Sequence, residues 1–273
     1  MATGILEKMN AENIGDEYNV SPYYSIFLDG EKLGINDLIG QNLKIEYLNE
    51  IHCIKCGRKT KKSFGQGFCY PCLISAPEAE ECVLRPELCR AHEGIARDME
   101  FAKEHCLIDH FVYLAWSGGL KVGITRHHQI PTRWIDQGAT LAIKVCRTKN
   151  RFESGMVEIE LKKILNDKTH WQAMLKGIEA DTIDLLSEKI KALDYIAGKG
   201  LNFKPEIDSV YRINFPITKY PDKVNSLSLD KTSTFSGKLI GIKGQYLIFD
   251  SNVVFNVRNH SGYLIDLNIK ATD

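Results

Sequence analysis

The chain has 273 residues, a formal net charge of zero and an ordinary composition, with 44% hydrophobic and 26% charged residues. A single core rarely grows beyond about 250 residues, so two or three compact units are expected. No apolar run approaches the roughly 18 residues that span a bilayer, and the first residues have neither the basic nor the apolar segment of a secretory signal. These features exclude a membrane partner and predict a cytoplasmic protein.

Charge is distributed unevenly along the chain. Residues 1–50 contain nine acidic residues and three lysines, whereas residues 53–72 contain five basic residues and no acidic one. Residues 121–151 contain one acidic residue and seven basic ones: Lys121, Arg126, Arg133, Lys144, Arg147, Lys149 and Arg151. A local basic surface attracts polyanions even when the whole molecule is neutral, although solvated loop charge explains the same pattern.

Two runs in the N-terminal segment, residues 1–52, have the composition of β-strands. They read YYSIFLDG and LKIEYLNEI. Two strands are too few for an independently stable sheet. We therefore expect them to pair with strands from the C-terminal part of the chain.

The next region, residues 53–110, opens with CIKCGRKTKKSFGQGFCYPC. Seven of the eight cysteines of the chain fall between residues 53 and 106, and without a secretion signal such clustering favours metal over disulfides. Two C-x-x-C pairs twelve residues apart can aim four thiolates at one Zn²⁺, with a redox pair or an iron–sulfur cluster as the alternatives. The predicted ligands are Cys53, Cys56, Cys69 and Cys72.

The loop between these pairs combines basic and aromatic residues. Aromatic side chains among cations can stack bases while the cations hold phosphates, and the alternative is that Phe64, Phe68 and Tyr70 form a small core beside the metal. The residues predicted to contact nucleic acid are the five basic ones of this loop and one from the second basic stretch: Lys55, Arg58, Lys59, Lys61, Lys62 and Arg126.

A second, less regular group of possible ligands follows. Five candidates for four positions, with His105 beside them, predict a second zinc site, whereas a buried thiol or a core histidine explains any one of them alone. The candidates are Cys82, Cys89, His92, Cys106 and His110.

The runs FVYLAW and LKVGIT, joined by Ser-Gly-Gly, predict a β-hairpin. A His-His loop, the segment PTRWIDQGA and another apolar run, TLAIKVCRT, come next. A helix is expected to begin near Asn150, with Glu153 completing a capping box. The apolar residues of this helix recur at helical spacing and leave Glu158 and Glu160 off the buried stripe.

The remaining segments predict two helices and a set of strands. The helices, HWQAMLKG and DTIDLLSEKIKALDYIAGKG, the second with Asp181 near its start, are expected to cover one face of the central sheet. From about residue 206 the apolar period is two, and four runs predict a meander: SGKLIGIKG, QYLIFD, NVVFNVR and GYLIDLNI. Together with the N-terminal strands these runs predict a β-sandwich or a small barrel. Small barrels often bind nucleic acids, and a purely architectural clamp is the alternative.

The central residues resemble the GIY-YIG nuclease domain. The segment FVY resembles the GIY element and KVG the YIG element, with Lys121 where many members have tyrosine, and Arg133 and ESGMVE follow. The resemblance implies a small mixed sheet with a catalytic Tyr113, a phosphate-binding Arg133 and Glu158 as the ligand of Mg²⁺ or Mn²⁺. Lys121 could bind phosphate or lower the pKa of the tyrosine, and His127 or His128 could act as the base.

Each of these residues also has an ordinary explanation. Tyr113 can be a core residue, Arg133 can pair with Asp136, and Glu158 lies four residues before Lys162, as in a common helical ion pair. The order of segments over nearly the full chain resembles a bacterial family of uncharacterised zinc-binding proteins, which implies an architecture without an activity.

The predicted fold class is α+β, with a central GIY-YIG-like mixed sheet and helices, a preceding zinc-knuckle region, and a β-sandwich or small barrel of N- and C-terminal strands. The predicted divisions are residues 1–52, 53–110, 111–200 and 201–273. The predicted function is a zinc-containing nucleic-acid-binding protein with divalent-metal-dependent phosphodiesterase activity. The alternatives are a non-catalytic zinc scaffold that recognises RNA, DNA or protein, and a redox sensor that uses the cysteines.

Overall fold

The computed structural model describes residues 2–165, 171–178 and 183–270. The strands are β1 (Ala2–Ile5), β2 (Asn10–Asn13), β3 (Asn19–Val20), β4 (Pro22–Leu28), β5 (Glu31–Gly34), β6 (Asn42–His52), β7 (Lys59–Thr60), β8 (His110–Trp116), β9 (Leu120–Arg126), β10 (Leu141–Thr148), β11 (Lys204–Pro205), β12 (Val210–Ile213), β13 (Asn225–Leu227), β14 (Thr234–Lys243), β15 (Tyr246–Phe249), β16 (Val253–Asn256) and β17 (Tyr263–Lys270). The α-helices are α1 (Tyr70–Ser75), α2 (Met99–His105), α3 (Thr132–Asp136), α4 (Arg151–Leu161), α5 (Trp171–Leu175) and α6 (Leu185–Ile196). The α+β class is therefore confirmed.

Short 3₁₀ turns connect many of these elements. They cover Asn36–Leu38, Pro77–Ala79, Glu81–Val83, Pro86–Leu88, Ala91–Glu93, His127–Gln129 and Arg258–His260. In the described part of the chain no helix combines the length and apolarity needed to cross a membrane. The predicted helix-start residue Asp181, and His170 in the helical stretch before it, lie outside the described residues.

The chain divides into two compact units, each built from separate segments. The first unit comprises Met1–Gly15, Ser21–Ile74 and Phe215–Asp273, and the second comprises Asp16–Val20 and Ser75–Asn214. The two groups of cysteines, which the sequence-based division placed in one region, therefore lie in different units.

The first unit contains a sheet in the order β1-β17-β6-β14-β15-β16-β13, with β7 also paired to β6. N-terminal strands thus alternate with C-terminal ones: Ala2 pairs with Leu267 and Leu43 with Ile269. Among the described strands this order has two open ends, so the prediction of a closed barrel is wrong. A smaller sheet, β2-β4-β5, completes the unit.

Strand β17 does not continue the predicted four-strand meander. Strands β14, β15 and β16 follow each other in antiparallel order, but β17 pairs with β6 and β1 instead of β16. The carbonyl of Gly262 accepts from the N–H of His52 at 2.7 Å, and a Cβ on Gly262 would lie 2.3 Å from the carbonyl oxygen of His52. This close crossing directs β17 onto β6, an approach that local periodicity does not reveal.

The second unit contains a sheet in the order β3-β12-β10-β8-β9, with β11 also on β10. Strands β8 and β9 form the predicted hairpin, from the pair Phe111 and Thr125 to the pair Trp116 and Leu120. Helices α4 and α6 pack against this sheet through one apolar cluster, whose fully buried members include Val112, Leu114, Val122, Ile143, Val157, Leu161 and Ile196. This packing fixes α4 beside the hairpin.

Helix α4 begins as the sequence predicts. The Asn150 side chain accepts from the backbone N–H of Glu153 at 2.9 Å, and the Glu153 carboxylate accepts from the N–H of Lys149 at 2.9 Å. The N–H of Glu153, one of those that a helix start leaves without partners, is thereby satisfied, and the Glu153 carboxylate holds the residue before the cap.

Candidate functional site

The first cysteine group, Cys53, Cys56, Cys69 and Cys72, extends from the end of β6 into α1 in the first unit. All four sulfur atoms lie within 4.8 Å of one another, and the Sγ atoms of Cys56 and Cys69 are 3.9 Å apart. A tetrahedral Zn²⁺ with Zn–S bonds of about 2.3 Å places its ligands roughly 3.8 Å apart. The four thiols therefore have the spacing that a zinc ion requires.

Backbone geometry prepares this group for a metal. Gly57 closes the first turn with a φ of +70° and donates to the carbonyl of Cys53 at 2.8 Å. Burial raises the pKa of the Cys53 thiol, but the backbone N–H groups of Cys69, Cys56 and Lys55 outweigh it and lower the pKa to about 6. The turn thus favours the thiolate, which is the form that binds metal.

The surface around the first group is basic. All five basic residues of the loop are exposed, although Lys59 pairs with Glu50 at 2.7 Å. Phe68 is buried and belongs to the small core, whereas the Tyr70 side chain is 58% exposed. Of the three aromatic residues in this loop, Tyr70 is therefore the one best placed to contact a partner.

The second cysteine group, Cys82, Cys89 and Cys106, lies in the second unit, and its sulfur atoms also lie within 4.8 Å of one another. Cys82 lies in the turn Glu81–Val83, Cys89 follows the turn Pro86–Leu88, and Cys106 follows α2. All three are buried. Three thiolates fit a thiophilic ion and leave one of its four positions to another ligand.

The predicted histidine ligands lie outside this set of three. The His92 ring stacks on Phe152, with ring centroids 4.4 Å apart. His110 is buried, and its Nδ1 lies 2.8 Å from the carbonyl oxygen of Ile108, while Nε2 has no hydrogen-bond partner among the described residues. Because Nδ1 must donate to that carbonyl, Nε2 carries the lone pair that a metal ligand needs.

Arg151 connects the second group to helix α4. Its backbone N–H donates to the carbonyl of Cys106 at 2.8 Å, and its guanidinium donates to the carbonyls of Cys82 and His105, each at 3.2 Å. The thiols of Cys82 and Cys89 lower the pKa of Cys106 more than burial raises it, and Arg151 lowers it further. A thiolate is therefore favoured at the start of α4.

A cavity of about 200 Å³ lies in the second unit between the hairpin and α4. Its polar lining combines Lys121, Arg133, Gln137 and Glu158, and its apolar lining combines Val83, Leu84, Pro86, Val122 and Ile124. Of the residues implied by the nuclease resemblance, Lys121, Arg133 and Glu158 thus line one cavity. Such a set can bind a cation and a polyanion side by side.

Tyr113 lies next to this cavity but is fully buried. Its hydroxyl donates to Oε1 of Gln137 at 2.8 Å, and the positive charge of Arg133 lies nearby. Burial raises the pKa of Tyr113, and the opposing effect of Arg133 is smaller. Gly123 is the cross-strand partner of Tyr113, and a Cβ there would lie 2.6 Å from the hydroxyl, so glycine is required for this ring position.

Glu158 is only 8% exposed, so its expected position off the main apolar stripe does not leave it at the surface. It forms an ion pair with Lys162, at 3.5 Å. The apolar spacing of α4 describes only the face toward the sheet. A second face is covered by the turn Pro86–Leu88, because a Cβ on Gly155 would lie 2.3 Å from the nitrogen of Glu87.

The remaining predicted residues do not line the cavity. His127 and His128 lie in a 3₁₀ turn, where Nδ1 of His127 is 3.3 Å from the carbonyl oxygen of Asp109. Arg126 ends β9 and is half-buried, and burial lowers its pKa. Neither histidine is therefore positioned beside Glu158 or Arg133.

Gln137 was missed by sequence reasoning. It lies four residues after Arg133, so both side chains project from the same side of the α3 turn. That spacing is a signal that could have identified it once Arg133 was selected. The cavity residues Val83, Leu84 and Pro86 had no such signal, because their position depends on how the second cysteine group folds.

Comparison with known proteins identifies a family. Residues 40–265 match the family described as Protein of unknown function (DUF2797). No curated protein and no solved structure matches the chain.

Proposed function

The chain belongs to this family of unknown function, and we propose from the cavity that it is a divalent-metal-dependent phosphodiesterase acting on nucleic acid. The observation that carries the proposal is the convergence of a buried carboxylate, a guanidinium and an ammonium on a single cavity, at Glu158, Arg133 and Lys121. Phosphodiester hydrolysis needs this combination of cation binding and charge neutralisation. The resemblance of the hairpin to the GIY-YIG domain supports the same assignment.

The residues have separate roles in this proposal. Glu158 holds Mg²⁺ or Mn²⁺, which supplies charge neutralisation at the phosphate and a more acidic water. Arg133 binds the scissile phosphate through charge-assisted hydrogen bonds, and Lys121 adds a second positive charge. Because Tyr113 is buried, has a raised pKa and donates to Gln137, it positions the Gln137 side chain in the cavity lining and does not act as a base.

The first unit contributes a separate basic surface. The exposed cations beside the first cysteine group and the exposed Tyr70 ring have the chemistry of a single-strand-binding surface. We assign this surface to substrate binding and the cavity to cleavage. The second cysteine group takes no direct part in either step.

The test is cleavage of labelled single-stranded, duplex and branched DNA and of structured RNA with Mg²⁺ or Mn²⁺. Glu158→Gln keeps the size of the buried side chain, and we expect it to lower cleavage at least about 100-fold. Glu160→Gln on the same helix is the matched control, because Glu160 pairs with Lys163 away from the cavity and its loss should leave cleavage nearly unchanged.

A folded wild-type protein that cleaves none of these substrates would refute the catalytic assignment. If nucleic-acid binding then persisted in wild type and Glu158→Gln alike, the protein would be a recognition scaffold. If Glu158→Gln and Glu160→Gln reduced cleavage equally, the catalytic metal would not be bound at Glu158.

A further inference from the structure

The 82–89 loop, residues 82–89, contributes both to the second cysteine group and to the cavity. Cys82 and Cys89 at its two ends belong to the cysteine group. Val83, Leu84 and Pro86 between them line the cavity. Whatever fixes the cysteines therefore also fixes one side of the cavity.

The same loop covers the face of α4 that carries Glu158. Arg151, Gly155 and Glu158 are spaced by four and three residues, so they lie along one face of the helix. Arg151 hydrogen bonds to the carbonyl of Cys82, and the space for a Cβ at Gly155 is filled by the backbone of Pro86 and Glu87, at 2.5 and 2.3 Å. Glu158 is buried on this same face.

The segment that contains the loop lacks the apolar side chains to hold this position by itself. The buried members of its core cluster are cysteines and alanines only: Cys82, Cys89, Ala91, Ala102 and Cys106. Its larger apolar residues are at most partly buried: Val83, Leu84 and Ile95 are 41%, 86% and 49% exposed, and Met99 and Leu107 only partly cover the cluster. Small segments with so little apolar burial usually require a metal to be ordered.

We propose that a Zn²⁺ ion bound by the second cysteine group positions the 82–89 loop against α4 and thereby buries Glu158 and forms the cavity. The ion is a positioning metal in the second unit, distinct from the Mg²⁺ or Mn²⁺ at Glu158. The consequence of this zinc ion for catalysis rests on the proposed function. The effect of the ion on the 82–89 loop and on α4 is independent of that function.

The experiment compares the full-length wild type with two double variants. Cys82→Ser/Cys89→Ser removes ligands from the second group, and Cys53→Ser/Cys56→Ser is the matched control in the first group. We expect wild type to bind two zinc ions per chain and each variant to bind one. In Cys82→Ser/Cys89→Ser, amide hydrogen exchange over residues 81–93 and 151–161 should accelerate at least about tenfold. In the zinc-bound protein these segments can unfold locally only if the zinc ligands separate, and the variant lacks this restraint.

The control should show faster exchange around residues 53–72 and unchanged exchange in α4. A second readout is Mn²⁺ binding followed by water proton relaxation, which should weaken at least about tenfold in Cys82→Ser/Cys89→Ser and not in the control. Removing zinc from wild type with a chelator and restoring it tests the same point without a substitution. Protection over residues 151–161 should disappear and then return.

Two results would overturn the inference. One is a wild type that binds zinc at the first group alone, and the other is loss of zinc from the second group with unchanged exchange over residues 151–161. Neither readout depends on cleavage. If wild type cleaves no nucleic acid but zinc controls exchange in α4, the proposed function fails and the inference stands.

Discussion

The first cysteine group lies among exposed charged side chains, whereas the second is buried against helix α4. In the first group Cys56 is exposed, and the surrounding lysines and arginine face solvent. In the second group all three cysteines are buried and the neighbouring Arg151 donates to backbone carbonyls. On the proposals above, the first group is a module with its own binding surface, and the second is an internal support for a neighbouring site.

Replacing Gly155 by alanine tests the support role directly and should have the largest effect. Alanine normally stabilises a helix interior by up to about 1 kcal/mol relative to glycine. Here the added Cβ would lie 2.3 Å from the Glu87 nitrogen, so we expect destabilisation of about 1–3 kcal/mol instead. The measurement is chemical unfolding of the zinc-bound protein, in which the sign of the change separates the two expectations.

A stabilising Gly155→Ala would show that the 82–89 loop can move away from α4 at little cost. The second cysteine group would then not act as an internal support for α4, and the two groups would no longer differ in role. Faster hydrogen exchange over residues 81–93 in Gly155→Ala, with zinc content unchanged, would show that the contact itself has been weakened.

Tyr113→Phe tests the buried polar contacts of the second unit. Without the hydroxyl, Gln137 loses a hydrogen-bond donor, so we expect a loss of about 0.5–1.5 kcal/mol in unfolding free energy at neutral pH. Tyr70→Phe in the first unit is the matched control, since its ring is 58% exposed and should lose less than about 0.5 kcal/mol.

The stability difference between wild type and Tyr113→Phe is also expected to depend on pH. Burial raises the folded-state pKa of Tyr113 above its ordinary value of 10.0, so folding favours the protonated phenol. The stabilisation that Tyr113 gains from being protonated in the folded state is fully present below pH 10. It is lost as the pH rises through the folded-state pKa of Tyr113. The stability gap between wild type and Tyr113→Phe should therefore narrow above pH 10, and a gap that widens would contradict the burial of this group.

Alanine at both Lys61 and Lys62 tests the module role of the first group and should have the smallest effect. We expect binding of single-stranded nucleic acid to weaken a few-fold, with the slope of log affinity against log salt reduced by about 0.7 for each phosphate that is no longer neutralised. Lys59→Ala should change the slope less, because Lys59 pairs with Glu50 at 2.7 Å. Equal salt slopes in wild type, the double alanine variant and Lys59→Ala would show that nucleic acid does not bind at the first group.

The sequence predicted those features that depend on neighbouring residues. The first cysteine group could be predicted because two C-x-x-C pairs form local turns. The helix cap at Asn150 could be predicted because its partner lies three residues away. The hairpin of β8 and β9 follows from two apolar runs around Ser-Gly-Gly. In each case the interaction that forms the element lies within the same short segment.

Features that depend on tertiary contacts were predicted incompletely or not at all. The burial of Glu158 depends on the turn Pro86–Leu88, which lies some seventy residues earlier in the chain. The pairing of β17 with β6 depends on the crossing at Gly262. The second group was predicted in part: Cys82, Cys89 and Cys106 were among the candidates, but because they come from separate turns their spacing did not separate them from His92 and His110.

The pairing of β1 with β17 has a consequence for the order of folding during synthesis. The side chain of Thr3 donates to Asp266, a partner 263 positions away, and β6 also lies between strands that are made after the whole of residues 75–214. Contacts of such long separation form late, because the ribosome must first release the distant strand. The unit whose first strands leave the ribosome earliest is therefore completed last, and β6 does not gain its final neighbours until β14 and β17 have been synthesised.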